Sequence, residues 1–140
     1  MYDQPSSKHV FPFRVYYEDT DAGGIVYYAN YLRFAERART EYLRVVGADH
    51  RKLKAESDIS FTVRQCFVDY VLPAFLDDAL EVHSRFLEVR GASLRVEQII
   101  RRNAEDLVRL CVRLACVSGD GKPKRMPAIL RRALSDGAKL

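Results

Sequence analysis

The chain has 140 residues, of which 48% are hydrophobic, and its formal net charge is +4. This length suits one domain with its own hydrophobic core. No apolar run approaches the roughly 18 residues that a membrane-spanning helix needs, which predicts a protein without a transmembrane segment. Residues 1–9 lack the apolar segment of a signal peptide, so we expect them to form a flexible tail before a single domain over residues 10–140. Together these features favour a cytoplasmic protein.

Hydrophobic periodicity predicts one strand, one long helix and four further strands, in that order. Residues 10–17 are rich in β-branched and aromatic side chains and predict the first strand. Between about residues 28 and 46, apolar side chains recur every three or four positions and charged ones occupy the other side, as in an amphipathic helix that Gly47 would end. Alternating or apolar segments predict four later strands, at residues 61–71, 79–90, 93–102 and 107–117.

This order of elements predicts an α+β fold. One antiparallel sheet placed around the single long helix would bury the apolar face of each element. Such a sheet keeps open edges, which favours pairing with a second copy of the chain.

Cysteine, histidine and basic residues narrow the chemistry further. The cysteines form no CxxC pair and lie in strand-like apolar segments, so we expect buried, reduced thiols at Cys66, Cys111 and Cys116. The three histidines are scattered, which predicts no metal site. Basic residues concentrate near the end of the chain, at Lys122, Lys124, Arg125, Arg131 and Arg132. This cluster suits a phosphorylated small molecule better than nucleic acid, because no nucleic-acid-binding motif accompanies it.

The segment with the most chemical information is residues 17–31, YEDTDAGGIVYYANY, where two acids and two glycines precede the predicted helix. A helix start leaves backbone N–H groups without intrahelical partners, and such groups can hold a carbonyl oxygen. A carboxylate such as Asp21 beside them could attack that carbonyl or activate a water molecule. The alternative is that Asp21 only caps the turn or the helix, which are common positions for aspartate.

Residues 14–27 (RVYYEDTDAGGIVY), 29–31 (ANY) and 34–41 (FAERARTE) resemble the hotdog-fold acyl-CoA thioesterases of the 4-hydroxybenzoyl-CoA thioesterase family. Within that family the chain is most similar to the YbgC-like subgroup, which is associated with the bacterial Tol–Pal envelope system. Weaker matches extend the resemblance to residue 134, at Phe61–Arg64, Leu76–Asp78, Arg90–Leu94 and Lys122–Pro127. The resemblance implies a hotdog fold, in which an antiparallel sheet wraps around one long helix. It also implies hydrolysis of an acyl-CoA thioester to a free carboxylic acid and coenzyme A, with no cofactor besides the coenzyme A of the substrate.

Transferred residue by residue, the resemblance makes Asp21 the catalytic carboxylate, as nucleophile or as general base. The backbone N–H of Tyr28 would polarise the thioester carbonyl. Many YbgC-like proteins have histidine at the position of Tyr28, so the resemblance implies no histidine-assisted step here. We expect Asp19 to bond to the backbone of the turn. Substrate contacts are expected at Gly24, Val26, Tyr27, Arg64, Arg90 and Ser93.

Two other functions remain open besides hydrolysis. Hotdog proteins also include acyl-CoA hydratases and dehydratases, but their paired Asp and His motif is missing from this sequence. A non-catalytic protein that binds acyl-CoA or acyl carrier protein is the alternative from a different functional class, and the basic C-terminal region suits acidic acyl carrier protein. Acyl carrier protein could also deliver the acyl group to an active enzyme. Relatives of this kind form homodimers that pair into homotetramers, which is the assembly that the resemblance implies.

Overall fold

The computed structural model describes residues 8–136, which form an α+β domain with the predicted fold class. A five-stranded antiparallel sheet has the strand order β1-β3-β4-β5-β2. In chain order the elements are β1 (Lys8–Arg14), α1 (Asn30–Val45), α2 (His50–Ser57), β2 (Ser60–Tyr70), β3 (Ala79–Val89), β4 (Ser93–Arg102), β5 (Glu105–Val117) and α3 (Ala128–Asp136). A short 3-10 turn, Tyr17–Asp19, lies between β1 and α1.

Helix α1 packs its apolar face against one face of the sheet, mainly on β1, β3 and β4. Its buried side chains recur at helical spacing, at Tyr31, Phe34, Ala35, Ala38 and Tyr42. The ring of Phe34 is 1% exposed and lies 4.5 Å from the ring of Phe13 on β1, measured between centroids. The predicted long helix is therefore confirmed. It begins at Asn30 instead of residue 28, because Tyr28 and Ala29 form a turn before it.

A buried polar network ties α1 to the sheet. The amide of Gln98 on β4 is fully buried and donates to the carbonyl of Ala35 at 2.9 Å and to the Ser84 hydroxyl at 3.0 Å. Its oxygen accepts a hydrogen bond from Arg39 Nη1 at 2.9 Å. Buried amides are tolerated when their polar atoms are paired in this way. The network fixes where α1 lies on the sheet.

Strand β2 is an apolar edge of the sheet. It pairs with β5 on one side, and no strand among residues 8–136 pairs with its other side. Three large side chains along it are markedly exposed: Val63 at 51%, Phe67 at 70% and Tyr70 at 45%. The free edge predicted from the order of elements is thus present, and it is an apolar one.

Strand β1 differs from its prediction at both ends. Lys8 and His9, which the sequence assigned to the tail, belong to β1 and pair with Arg85 and Ser84 on β3. Residues 1–7 of the predicted tail lie outside the described part of the chain. The strand stops at Arg14, because the N–H and C=O groups of Val15 bond to the turn at Asp77 and Asp78 instead of to a strand.

Two helices, α2 and α3, have no counterpart among the sequence predictions. Helix α2 has eight residues and buries one of them, Leu53, so it shows no apolar periodicity. Helix α3 is nine residues long and buries Leu130, Ala133 and Leu134. Both helices are too short for a window-based pattern to stand out.

The cysteines follow their predictions in part. All three are free thiols; Cys116 is buried and Cys111 half-buried. Cys66 is exposed because it lies on the edge strand β2, so the expectation of a buried thiol was wrong for this residue. Between residues 8 and 136, no helix is both long enough and apolar enough to cross a membrane.

Candidate active site

Asp21 lies in a tight loop between the 3-10 turn and α1. Its N–H donates to the carbonyl of Ile25 at 2.8 Å, and its C=O accepts the N–H of Gly24 at 3.0 Å. The carboxylate atom Oδ1 accepts the N–H of Gly23 at 2.8 Å and that of Ile25 at 3.4 Å. Oδ2 has no hydrogen-bond partner within residues 8–136. One carboxylate oxygen therefore holds the turn, while the other is available to a substrate.

The two positions of the loop that are occupied by glycine require it for different structural reasons. Gly24 has a φ of +87°, a conformation that favours glycine over every residue with a Cβ. At Gly23, a Cβ atom would lie 3.2 Å from Oδ1 of Asp21. Gly24 thus permits the bend of the chain, whereas Gly23 leaves room for the carboxylate.

Asp19 links the 3-10 turn to the start of α1. Its Oδ2 accepts the backbone N–H of Tyr16 at 2.8 Å. Its carbonyl accepts the N–H of Tyr27 and the side-chain amide of Asn30, each at 2.9 Å. The prediction that Asp19 bonds to the backbone of the turn is confirmed.

The backbone before α1 presents an unpaired donor. The N–H of Asn30 bonds to the carbonyl of Tyr27 at 2.8 Å, and α1 begins there. The N–H of Tyr28, one residue before the N-cap Ala29, reaches no acceptor in the described part of the chain. An N–H group at a helix start, aided by the helix dipole, can stabilise negative charge on a carbonyl oxygen.

An apolar pocket of about 330 Å³ opens beside this helix start. Its walls come from the loop, from α1 and from the end of β2: Ile25, Val26, Tyr28, Tyr31, Tyr70, Val71, Leu72 and Pro73. Tyr31 is 3% exposed, and burial raises the pKa of its phenol, which accepts the N–H of Ala74 at 3.0 Å. A neutral, mostly apolar wall of this kind suits an acyl group.

The residues predicted to contact substrate near Asp21 occupy different places. Val26 is buried and lines the pocket. Gly24 forms the bend of the loop. The half-exposed ring of Tyr27 lies tilted against that of Tyr28, with 5.0 Å between centroids. Neither Gly24 nor Tyr27 is part of the pocket wall.

A second, polar groove of about 520 Å³ lies on the sheet and brings together two other predicted residues, Arg64 and Ser93. Ser93 pairs with Ala115 across β4 and β5, and Arg64 is the extra residue at a bulge in β2. Arg113 on β5 also lines the groove and donates to Gln65 at 3.2 Å. Arg113 was not among the predicted site residues, although the alternation of β5 places it on the polar face of the strand. The groove is a basic surface, and within one chain its lining has no residue in common with that of the apolar pocket.

Arg90 does not line this groove. Its guanidinium pairs with Glu88 at 2.6 Å, and Glu88 also contacts Arg95 at 3.0 Å. The hydrogen bond from Arg90 lowers the pKa of Glu88. Because Glu88 already offsets part of its charge, Arg90 is a weaker candidate for binding a phosphate than Arg64.

The basic residues near the C-terminus separate in the same way. Lys124 donates to the carbonyl of Ser57 at 2.7 Å and is half-buried. Arg125 is exposed, and its guanidinium lies against Gly91, at a place where a Cβ would collide with it. Lys122 is exposed. Of these three residues, Lys122 and Arg125 are the exposed ones, and in the sequence they flank Pro123, which lines the groove.

Comparison with known proteins assigns the family. A model of the thioesterase-like superfamily matches residues 15–134. The chain belongs to this superfamily. A Haemophilus influenzae protein named acyl-CoA thioesterase YbgC is 47% identical over 124 residues, which cover 88% of this chain and 91% of that protein. An Escherichia coli protein named acyl-CoA thioester hydrolase YbgC is 47% identical over 120 residues, covering 84% and 88%.

A solved structure supports the same assignment. The crystal structure of a probable thioesterase from Bartonella henselae matches with a TM-score of 0.83 and 36% identity, over 86% of this chain and 99% of that one. The resemblance to hotdog-fold, YbgC-like thioesterases that the sequence indicated is confirmed.

Proposed function

We propose that this thioesterase hydrolyses acyl-CoA, with Asp21 acting on the thioester carbonyl and the Tyr28 N–H polarising it. The hydrogen bonding of the Asp21 carboxylate supports this proposal most strongly. Oδ1 is held by the N–H groups of Gly23 and Ile25, and Oδ2 has no partner among the described residues. A fixed carboxylate with one free oxygen, in the loop that leads to an unpaired N–H and an apolar pocket, meets the needs of acyl transfer to water.

The proposed chemistry starts with the carbonyl oxygen on the N–H of Tyr28. As the carbonyl carbon is attacked, negative charge develops on this oxygen, and one well-placed donor is worth roughly 2.7–4 kcal/mol to the transition state. Asp21 either attacks the carbon itself or removes a proton from an attacking water. If Asp21 attacks, the C–S bond breaks to leave an acyl-aspartyl anhydride, which water then hydrolyses to the acid and free Asp21. If Asp21 is the base, water attacks the acyl carbon directly as the C–S bond breaks. In both cases coenzyme A takes up the proton that water gives up and leaves as the thiol, and water supplies the second oxygen of the acid. Because thioesters are activated acyl donors, we propose that no metal or further cofactor takes part.

Incubation with acyl-CoA in H₂¹⁸O separates this proposal from its alternatives. Hydrolysis gives free coenzyme A and an acid that carries ¹⁸O, both detectable by mass spectrometry. A hydratase would leave the thioester intact and add water to the acyl chain. A non-catalytic binding protein would return the acyl-CoA unchanged, which would contradict the proposal.

We further propose that the groove at Arg64, Ser93 and Arg113 binds the phosphate-bearing part of coenzyme A. Arg64 forms no ion pair within residues 8–136 and is exposed, so its charge is free for a phosphate. Arginine suits such a site because its N–H groups match phosphate oxygens in pairs. Arg90 would add less, since Glu88 already offsets part of its charge.

The Arg64→Ala variant is expected to raise KM for acyl-CoA about three- to tenfold, the effect of losing one charge-assisted contact on an exposed surface. An acyl-N-acetylcysteamine thioester lacks the nucleotide phosphates, so its KM should stay unchanged in the variant. Arg37→Ala, on the exposed side of α1 and without an ion pair in the described chain, is the matched control. An equal rise of KM for both thioesters would contradict a phosphate contact at Arg64.

We propose that the protein works as a homodimer paired through the free edge of β2, with a homotetramer as the larger assembly that its resemblance implies. The exposed, apolar character of this edge supports the proposal, because an edge strand of 11 residues with one side unpaired is prone to pair with another strand. Light scattering should give a mass that is two or four times the 16.1 kDa of the chain. A monomer at micromolar concentration would contradict the pairing.

The working compartment that we propose is the cytoplasm, which keeps cysteines reduced, in agreement with three free thiols in the chain. Acyl carrier protein is a second candidate acyl donor. The exposed basic residues Lys122 and Arg125 beside the groove support it, because they would attract an acidic partner.

A further inference from the structure

Tyr70 makes a direct hydrogen bond to the backbone at the helix start. It is the last residue of β2, and its hydroxyl donates to the carbonyl of Tyr28 at 3.1 Å. Its ring lies 5.8 Å from the ring of Tyr31 and 6.1 Å from that of Tyr28, each in an edge-to-face arrangement. Although Tyr70 is 45% exposed, the burial of the rest of its side chain raises the pKa of the phenol, which keeps the hydroxyl protonated and able to donate.

The Tyr28 carbonyl depends on this bond. If the helix extended back to Tyr28, the carbonyl of Tyr28 would accept the N–H of Leu32, four residues later. Here the N–H of Leu32 bonds to the carbonyl of Ala29 at 3.1 Å instead. Within residues 8–136, Tyr70 is the one donor that reaches the Tyr28 carbonyl. The end of β2 is itself anchored, because the next two N–H groups, of Val71 and Leu72, both bond to the carbonyl of Leu107.

Two more bonds hold the neighbouring peptide groups. The N–H of Tyr27 bonds to Asp19, and the carbonyl of Tyr27 accepts the N–H of Asn30. The N–H of Tyr28 and the carbonyl of Tyr27 belong to one planar peptide group. The carbonyl of Tyr28 belongs to the next peptide group, which Tyr70 holds by its hydrogen bond. The direction of the Tyr28 N–H is therefore set on one side by the helix and on the other by Tyr70.

We propose that Tyr70 is a positioning residue for the thioesterase reaction, whose hydroxyl fixes the Tyr28 backbone so that its N–H points at the reacting carbonyl. The proposal rests on the function proposed above, because it gives the Tyr28 N–H the role of carbonyl donor. A Tyr28 peptide group that is free to rotate would lose much of the value of its donor, since hydrogen bonds weaken steeply once the donor angle falls below about 120°.

The Tyr70→Phe variant tests this role, because it keeps the ring and removes only the hydroxyl. We expect kcat to fall about tenfold with KM within about twofold of the wild type, as one positioning hydrogen bond would give. Melting temperature, circular dichroism and oligomeric mass should match the wild type. Tyr17→Phe is the matched control and should leave kcat unchanged, because Tyr17 is 82% exposed and its hydroxyl contacts no described residue.

A vibrational measurement separates positioning from a purely structural effect. In the Asp21→Asn background, bound acyl-CoA with a ¹³C-labelled carbonyl should show a C=O stretch lowered by the Tyr28 N–H. Adding Tyr70→Phe should return this stretch toward its value in water, while adding Tyr17→Phe should not. An unchanged kcat or an unchanged stretch on loss of the Tyr70 hydroxyl would overturn the inference, as would a fall in kcat that follows loss of folded protein. Full turnover by Asp21→Asn itself would instead overturn the proposed function.

Discussion

The Asp21→Asn variant is expected to lose about 10²–10⁴-fold in kcat, the usual contribution of a positioned acid–base group. The amide oxygen of asparagine can still accept the N–H groups that Oδ1 holds in the wild type, so the turn should keep its shape. An amide is, however, neither a base nor a useful nucleophile at neutral pH. Initial rates of thiol release give kcat, and isothermal titration calorimetry with coenzyme A should show unchanged binding.

Glu18→Gln is the matched control for this variant. It removes one negative charge three residues away, at an exposed side chain that has no ion pair in the described chain. We expect its kcat to stay within about twofold of the wild type, since exposed charges interact weakly through water. Equal losses in the two variants would assign the effect to the local field and not to chemistry at Asp21.

The second large effect is expected from Gln98→Leu, which should lower the free energy of unfolding by about 3 kcal/mol, the cost of leaving buried polar groups unpaired. Leucine fills a similar volume, but Arg39, Ser84 and the carbonyl of Ala35 would each lose their bond to the amide. Burial already lowers the pKa of Arg39, which indicates that its charge has little water to replace the lost acceptor. Urea unfolding followed by circular dichroism measures the change.

Gln65→Leu provides the comparison for Gln98. The same replacement there removes an exposed amide that bonds to Arg113, and it should change the free energy of unfolding by less than about 0.5 kcal/mol. A loss of similar size at both positions would show that the buried network does not hold α1 on the sheet.

Much of the fold could be predicted because its two main patterns are strong. The alternation Val108, Leu110, Val112, Leu114, Cys116 on β5 gives a buried face in the structure, and the stripe on α1 is equally regular. Prediction failed where an element is too short to show a pattern, or where exposure depends on which strands lie next to each other. Helix α2 buries a single residue, and the exposure of Cys66 depends on β2 being an edge, which is a property of the strand order.

In the candidate site, likewise, the residues that lie close together in the sequence could be predicted. Asp21, Gly24 and Tyr28 lie within one short segment, so a local motif was enough to find them. Tyr70 acts on Tyr28 from 42 residues away, and no local pattern in the sequence connects the two. Arg113 lines the same groove as Arg64 because of the register between β2 and β5. That register includes a bulge that no sequence pattern predicts. The ion pair between Arg90 and Glu88 could not be predicted either, because it depends on side-chain geometry.

The most direct test of the account is release of free thiol by the wild-type protein from a panel of short aliphatic, long aliphatic and aromatic acyl-CoAs, with an acyl carrier protein thioester beside them. We expect saturable turnover of at least one acyl-CoA, and the preferred member identifies the acyl group that fits the pocket at Tyr28, Tyr31 and Tyr70. Turnover of the carrier-protein thioester alone would contradict acyl-CoA as the substrate. Absence of thiol release from every member, by folded protein that still binds coenzyme A, would contradict hydrolysis itself.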